Sequence, residues 1–191
     1  MAFLSEEKLK SLGLASCGKN VLISEKSSIY NAGKIKIGNN VRIDDFCVIS
    51  AGHGGIELGN YVHIAVYVSI LGAGKIRISD FVGCSARVAI YSSNDDYSGK
   101  YLTNPTVPVK YTNVEHKDVV IEKHVLVGAG SIILPGVTIS EGASVGALSL
   151  VNQDLASYNI YAGSPIRKIK ERSRDLLEKE RELLSEKQNK K

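Results

Sequence analysis

The 191-residue sequence contains no tryptophan, one methionine, four prolines and only three cysteines. Cys17, Cys47 and Cys84 lack the close spacing of metal ligands, so we predict reduced thiols, the last two at or near the core. No apolar run approaches the roughly 20 residues that a membrane helix needs, and the net charge of +4 is too small to indicate nucleic acid. The N-terminus is acidic where a signal peptide would be basic and apolar. We therefore expect a cytoplasmic protein with no metal site, no membrane span and no nucleic-acid partner.

Apolar residues recur at every sixth position within several series along the chain. Small residues often follow them, as in IGNNVR, IAVYVS, VGAGSI and VGALSL. An amphipathic helix repeats near 3.6 residues and a half-buried strand repeats at 2, so neither explains this step. The repeated positions are Ile23, Ile29, Ile37, Ile43, Ile49, Leu58, Ile64, Ile70, Ile78, Cys84, Ile90, Ile121, Val127, Ile133, Ile139, Val145 and Val151.

A step of six is typical of a coil with three short faces, each of which sends one aliphatic side chain inward. Gly, Asn and Asp at the corners tolerate the left-handed backbone that tight turns require. A single coil cannot bury its own core and must stack on the next, so the pattern predicts an all-β solenoid, a parallel β-helix. We place this β-helix at residues 21–165, after an N-terminal helix and lead-in at 1–20 with Ser5 as N-cap. A C-terminal helix with an apolar stripe follows at 166–191.

The six-residue repeat is interrupted in the middle of the chain, where the sequence reads VAIYSSNDDYSGKYLTNPTV. We predict a loop at residues 92–118 that interrupts the β-helix. Asp95 and Asp96 lie at its start. A loop of this length is usually either functional or disordered.

The repeats resemble those of the hexapeptide-repeat acyltransferases, which have a left-handed β-helix. The likeness extends from about residue 20 to about residue 170 and is sharpest in VGAGSIILPGVTISEGASVGALSLVNQDLASYNIYAGSPIRKI. The resemblance implies a homotrimer with acetyl-CoA as co-substrate, bound in the cleft between neighbouring subunits. The left-handed sense of the coil is implied by this resemblance alone, since the general crossover rule favours a right-handed connection.

The resemblance also implies the residues that bind coenzyme A. Small side chains suit a narrow groove for pantetheine, although the same residues are needed for tight stacking of the coils. Asn152 and Gln153 replace a threonine–lysine pair of the family, so one charge is missing there. Basic side chains after the last coil match the family's phosphate contacts. The implied cofactor residues are Ala129, Gly130, Ala147, Asn152, Arg167, Lys168 and Lys170.

The residues at the start of the loop indicate which substrate receives the acetyl group. Sugar O-acetyltransferases of the family carry a catalytic histidine at the position that Asp95 occupies here. An aspartate with a pKa near 3.9 is a poor base for an alcohol but pairs well with an ammonium group. The run GCSARVAIYSSNDDYSGKYLTNPTVP is similar to that of N-acetyltransferases acting on nucleotide-linked 4-amino-4,6-dideoxy sugars, dTDP-linked in particular. That resemblance implies Ser85, Asp95 and Asp96 as the residues that hold the sugar and its amine.

The acceptor of the amine proton stays open between two alternatives. In the family, the thioester sulfur takes the proton and catalysis relies on positioning. His63 and His116 are the competing catalytic candidates from this chain or a neighbour. Purely structural roles are the alternative for the three sugar-binding candidates. Asp95 and Asp96 could cap a turn, and Ser85 could be a small packing residue.

Other functions fit parts of the pattern. An O-acetyltransferase of the galactoside or maltose type would keep the fold and coenzyme, but Asp95 in place of histidine argues against it. A non-catalytic β-helix scaffold would bind no coenzyme. A zinc enzyme similar to the gamma-class carbonic anhydrases needs three suitably spaced histidines, and the four histidines lack that spacing. We expect an amino-sugar N-acetyltransferase of cell-surface polysaccharide synthesis.

Overall fold

The computed structural model describes residues 2–188, which form a left-handed parallel β-helix of about seven turns. Its three faces are parallel ladders of short strands. The first face stacks Ser16–Cys17, Ile35–Ile37, Ile56–Leu58, Ile76–Ile78, Val119–Ile121 and Thr138–Ile139. The second face stacks Val21–Ile23, Val41–Ile43, His63–Ile64, Gly83–Cys84, Leu126–Val127, Ser144–Val145, Asn159–Ala162 and Arg167–Glu171. The third face stacks Ser28–Tyr30, Val48–Ala51, Ser69–Gly72, Ala89–Tyr91, Ile132–Ile133 and Leu150–Val151.

The predicted repeat positions form the core. All of them except the half-buried Ile29 are buried, and they lie in register because each strand pairs with the strand one coil away. Cys47 and Cys84 are buried among them as predicted. Burial raises the pKa of the Cys47 thiol to about 11 and that of Cys84 to about 12. Both thiols therefore stay protonated and unreactive at neutral pH.

The chain turns between faces through residues with left-handed backbone. The edge between the first and second faces, called the 1/2 edge, turns at Asn20, Asn40, Tyr61, Phe81, His124, Gly142 and Tyr158. The edge between the second and third faces, called the 2/3 edge, turns at Phe46, Tyr67, Arg87, Gly130 and Leu148. Aromatic and aliphatic residues occur here as well as the expected Gly and Asn, because stacking on the neighbouring coil offsets the cost of a positive φ.

The predicted loop leaves the β-helix after the strand Ala89–Tyr91 and returns at Val119–Ile121. Its base is an antiparallel pair of Ser93–Asn94 with Glu115–His116. A 3₁₀ turn at Val109–Tyr111 lies inside the loop. The loop is thus an ordered excursion from one corner of the coil.

The two ends of the chain carry the helices. Helix α1 spans Glu6–Ser11, and Ser5 caps it by accepting a hydrogen bond from the backbone N–H of Lys8. Helix α2 spans Leu176–Gln188, and no helix within residues 2–188 is long and apolar enough to cross a membrane.

The expected helical start at residue 166 is wrong. Arg167–Glu171 is instead a strand that runs antiparallel to Asn159–Ala162. The chain reverses at Gly163, with φ +102°, and the returning strand covers the last edge of the second face. Ile166 is buried whereas Ile169 is 60% exposed, so the two do not share one apolar helical face. The end of the predicted helix, residues 189–191, lies outside the described residues.

Helix α2 packs along the 1/2 edge. Glu180 accepts hydrogen bonds from His124 Nε2 at 2.9 Å and forms an ion pair with Lys123 at 2.6 Å. In the last turn of the helix, the Lys187 ammonium lies 4.5 Å from the centre of the Tyr61 ring. Burial favours a raised pKa for Glu180, but the hydrogen bonds from Lys123 and His124 outweigh it, so the pKa lies below its ordinary value.

Glu180→Gln should lower the melting temperature at pH 7 by weakening the attachment of α2. A carboxyl with a lowered folded-state pKa stabilises the fold above its unfolded pKa of about 4.3, and that contribution disappears as the pH falls through the folded value. The difference from wild type in thermal melts should therefore shrink below about pH 4. Glu182→Gln is the control, because Glu182 is exposed and its only ion pair among residues 2–188 is with Lys179. Equal effects of the two substitutions at pH 7 would contradict the role of Glu180.

Candidate functional site

Small residues line the 2/3 edge in the C-terminal coils. Ala129 and Ala147 are both exposed, and the Leu148 N–H donates to the Ala129 carbonyl at 2.9 Å. Gly130 turns the corner with φ +71°, and a Cβ there would lie 2.8 Å from Leu148 Cδ2. Larger side chains would fill this strip, so the edge presents a shallow surface of backbone and methyl groups. A narrow, flexible chain such as pantetheine suits a surface of this kind.

The basic residues that follow the last coil are all exposed. In the antiparallel pair, Arg167 lies opposite Ala162, Lys168 opposite Tyr161 and Lys170 opposite Ile160, with an irregularity in register between the last two. Asn152 is also exposed and directly follows the third-face strand Leu150–Val151. These residues are thus concentrated in the last coil and the strand that covers it. A polyanionic group bound near this end would find two or more cations.

A groove of about 700 Å³ lies on the third face beside the start of the loop. Asp95 contributes to its wall and is exposed, and its carboxylate makes no hydrogen bond to any residue between 2 and 188. The groove thus combines aliphatic and tyrosine side chains with one free carboxylate. Its lining residues are Tyr91, Ser93, Asn94, Asp95, Tyr97, Ile132, Leu134 and Leu150.

Asp96 is bound within the loop itself. Its Oδ1 accepts hydrogen bonds from the backbone and hydroxyl of Ser98 at 2.7 and 2.5 Å. Its Oδ2 accepts one from Asn113 Nδ2 at 3.1 Å, across the loop. Hydrogen bonds from Ser98 and Asn113 lower the pKa of Asp96. The two neighbouring aspartates therefore differ, since Asp96 organises the loop and Asp95 is left open to solvent.

His116 lies at the base of the loop and contacts Ser93. Its Nδ1 is 2.7 Å from Ser93 Oγ, which also accepts a hydrogen bond from the Ala73 N–H at 2.7 Å. The Ser93 hydroxyl proton is then available for His116. This contact joins the two strands of the loop base, one residue away from Asn94 and two from Asp95.

His63 lies on the second face and is held by Asp44 from the preceding coil. Its Nε2 is 2.9 Å from Asp44 Oδ2, while Arg42 Nε donates to Asp44 Oδ1 at 2.7 Å. Burial favours a raised pKa for Asp44, but hydrogen bonds from Arg42 and His63 dominate, so the pKa is lowered. Asp44 was not among the residues identified from the sequence, because its contact with His63 spans 19 positions.

Ser85 precedes the 2/3 edge and is half buried, and its N–H donates to the Val127 carbonyl at 2.9 Å. The third-face strand Ala89–Tyr91 separates it from Asp95. Among residues 2–188, no side-chain hydrogen bond links Ser85, Asp95, His63 and His116 to one another. A single chain therefore brings His116 near Asp95 but leaves Ser85 and His63 elsewhere. Residues 2–188 also contain no group of three His, Cys, Asp or Glu side chains that could hold a metal ion.

Comparison with known proteins identifies the class of protein to which the fold belongs. No protein-family model matches the chain. A hexapeptide-repeat acetyltransferase from Vibrio cholerae, solved with acetyl coenzyme A, shares the fold with a TM-score of 0.63 at 21% identity over 89% of this chain and 79% of its own. The fold is thus that of the left-handed β-helix acyltransferases.

Closer relatives are more specific. An Escherichia coli protein named dTDP-4-amino-4,6-dideoxy-D-glucose acyltransferase is 55% identical over 180 residues, 94% of each chain. A variant of AntD, an N-acyltransferase from Bacillus cereus solved with dTDP and coenzyme A, matches with a TM-score of 0.93 at 49% identity, covering 97% of this chain and 100% of its own. The chain belongs to this family of amino-sugar acyltransferases.

Asp96→Ala should loosen the loop, because it removes the hydrogen bonds that join residue 96 to Ser98 and Asn113. Limited proteolysis or amide hydrogen exchange should show faster cleavage or exchange within residues 97–113. Asp95→Ala is the matched control, since the Asp95 carboxylate has no hydrogen-bond partner among the described residues. If both variants loosen the loop equally, Asp96 does not organise it.

Proposed function

We propose that the protein transfers an acetyl group from acetyl-CoA to the amine of a dTDP-linked 4-amino-4,6-dideoxy sugar. The observation that carries this is the free carboxylate of Asp95 in the third-face groove, in a chain 55% identical to an enzyme named for that sugar. An unpaired carboxylate attracts an ammonium group, whereas it is a poor base for an alcohol. This favours the amine over a hydroxyl acceptor.

Variants of AntD that have been solved add support for the site. They include single-residue variants at an aspartate and at a serine that are ten positions apart in that chain. Ser85 and Asp95 are ten positions apart here. The serine variants were solved with dTDP-4-amino-4,6-dideoxyglucose or dTDP, and with coenzyme A. We propose that Ser85 and Asp95 bind the sugar, and that Asp96 acts by shaping the loop.

The reaction is aminolysis of a thioester. The sugar binds as an ammonium ion against Asp95 and must lose one proton before its nitrogen can attack the thioester carbon. The tetrahedral intermediate then collapses, the C–S bond breaks and the thiolate takes the second proton from nitrogen. The residues would contribute mainly by positioning, which can supply several kcal/mol. His116, near Asp95 at the loop base, and His63, oriented by Asp44, are the two candidates for accepting the first proton.

Coenzyme A is proposed to lie along the C-terminal part of the 2/3 edge. Ala129, Gly130 and Ala147 would contact pantetheine, with Asn152 beside it. Arg167, Lys168 and Lys170 would bind the phosphates, because exposed cations at one end of a groove suit a polyanion. An AntD structure with 3-hydroxybutyryl-CoA shows that this relative binds a longer acyl group. Acyl donors longer than acetyl therefore belong in the test.

We propose a homotrimer in which the third face packs against a neighbouring copy. The six strands of this face contain no charged residue, whereas the first face carries Lys36, Glu57 and Arg77. Exposed apolar side chains also cluster there and at the adjoining edge, including Ile132 at 40% and Leu148 at 78% exposure. A neighbour placed this way could supply Ser85 or His63 opposite Asp95. We also propose a cytoplasmic location and a role in O-antigen or lipopolysaccharide synthesis, since an Escherichia coli relative that is 30% identical over 151 residues is named for lipopolysaccharide biosynthesis.

Purified protein should release thiol from acetyl-CoA with dTDP-4-amino-4,6-dideoxyglucose and not with thiogalactoside. Asp95→Asn should lower kcat/KM for the amine at least about tenfold, since a carboxylate–ammonium contact contributes at least about 1.5 kcal/mol. The same assay with 3-hydroxybutyryl-CoA as the donor tests whether the enzyme accepts an acyl group longer than acetyl. Turnover of thiogalactoside, or an unaffected Asp95→Asn variant, would overturn the amine proposal.

Val48→Lys should dissociate the trimer, because it places a charge on the uncharged third face. Val120→Lys is the matched control, since Val120 is an equally half-buried, outward-facing valine on the charged first face. Light scattering after size exclusion would give the mass of each variant. The trimer proposal fails if wild type is monomeric or if both variants keep the wild-type mass.

A further inference from the structure

The last strand of the second face, Arg167–Glu171, lies at the free edge of its ladder. Within residues 2–188 it pairs on one side only, with Asn159–Ala162, and all five of its residues are exposed. The pairing also skips Ile169, which has no partner in the register. Such a bulge bends a strand and interrupts its hydrogen bonds. Pairing alone therefore holds this strand less firmly than the strands inside the stack.

The strand crosses the second face from one edge to the other. Asn159–Ala162 runs from the Tyr158 corner on the 1/2 edge to Gly163, where the chain reverses, and Arg167–Glu171 runs back. The start of the returning strand is anchored by Ile166, whose side chain is buried in the core. The basic side chains proposed to bind the coenzyme phosphates thus lie between this anchor and the contacts at the 1/2 edge.

Arg172 makes the contacts at the 1/2 edge. Its Nη1 donates to the backbone carbonyls of His124, Gly142 and Ala143 at 2.8, 3.0 and 3.3 Å. Its own N–H donates to the Tyr158 carbonyl at 2.8 Å. His124, Gly142 and Tyr158 are three consecutive corners of this edge. One residue therefore ties the end of the strand to three coils.

The corners that Arg172 contacts are closely packed. The ring of Tyr158 lies directly on Gly142 and leaves no room for a Cβ there. The Tyr158 hydroxyl donates to Glu141 Oε1 at 2.9 Å, and the Arg174 guanidinium lies 4.5 Å from the centre of the ring. The ring is thus held from several sides. The carbonyls that accept from Arg172 therefore have fixed positions, and they fix the end of the strand in turn.

We propose that Arg172 is a positioning residue for coenzyme binding, an inference that rests on the proposed function. Its guanidinium is occupied by backbone carbonyls at the edge of the second face opposite to the proposed coenzyme groove. It acts through Arg167, Lys168 and Lys170, because it fixes the strand that carries them. Charge-assisted contacts with phosphate depend on distance and direction, so cations on a fixed strand bind a polyanion more tightly than cations on a frayed one.

Isothermal titration with coenzyme A tests this role without any acceptor. Arg172→Gln should weaken binding about tenfold, since a displaced strand loses at least one charge-assisted phosphate contact. In turnover assays KM for acetyl-CoA should rise by the same factor, while kcat and KM for the sugar nucleotide stay at the wild-type values. Arg174→Gln is the matched control, because it removes the same charge two residues away and leaves the carbonyl contacts of Arg172 in place. It should bind coenzyme A as wild type does.

A double-mutant cycle tests whether Arg172 acts through the cations. In a Lys170→Gln background, Arg172→Gln should weaken coenzyme A binding by less than it does in wild type, because one of the contacts that it positions is already gone. Losses that multiply in full would mean that Arg172 acts independently of Lys170, and would overturn the positioning role.

Amide hydrogen exchange of the wild-type protein gives a test that needs no variant, should Arg172→Gln fail to fold. The strand 167–171 should be as protected as 159–162 before coenzyme A is added, because Arg172 holds it in the free protein. Free exchange of 167–171 until coenzyme A is added would contradict the proposal.

Failure of the positioning role can be told apart from failure of the proposed function. Wild-type affinity for coenzyme A in Arg172→Gln would overturn the role even if the enzyme acetylates the amine. Equal losses in Arg172→Gln and Arg174→Gln would also overturn it, since net charge alone would then explain them. Weakened binding in Arg172→Gln only, in a protein that does not acetylate the amine, would overturn the proposed function and leave the role standing.

Discussion

Stacking of one coil on the next is the interaction on which the structure depends. Each strand is only a few residues long and pairs with strands of neighbouring coils, so no coil could be stable alone. Close stacking leaves little room at some corners. A Cβ at Gly38 would lie 2.6 Å from the Gly59 carbonyl oxygen, and one at Gly18 would lie 2.5 Å from that of Gly38. The fold thus determines inward and corner residues, while outward positions remain free for binding.

The loop shows how chemistry is added to such a stack. Ile76–Ile78 pairs with Val119–Ile121 in the same register in which it pairs with Ile56–Leu58. The residues between Tyr91 and Val119 therefore leave the ladder uninterrupted. Because the excursion starts at a corner, its base is rigid, and Ser93 and His116 fix it. Asp95 directly follows this base and does not lie at the tip of the loop, which suits a residue that must position a ligand.

The sequence was sufficient to predict the core and the position of the loop. A step of six residues is a local pattern, so the buried column from Ile37 to Val151 could be identified without knowing any contact. The contact of Asp44 with His63 and that of Glu180 with His124 could not, because they join residues 19 and 56 positions apart. The strand Arg167–Glu171 was missed for a related reason. The spacing of its apolar residues among basic ones is typical of a helix. The segment forms a strand only because the chain reverses at Gly163 and pairs with Asn159–Ala162.

Helix α2 changes how the coils depend on one another. In a simple solenoid each coil contacts only its neighbours, and the terminal coils separate first. Here the helix follows the last coil and runs back along the 1/2 edge, contacting His124 and then Tyr61. Opening of the C-terminal coils would carry the helix with it and expose the ring of Tyr61, several coils away. The end of the chain is thereby coupled to its middle, and the domain gains cooperativity that a stack of nearest neighbours lacks.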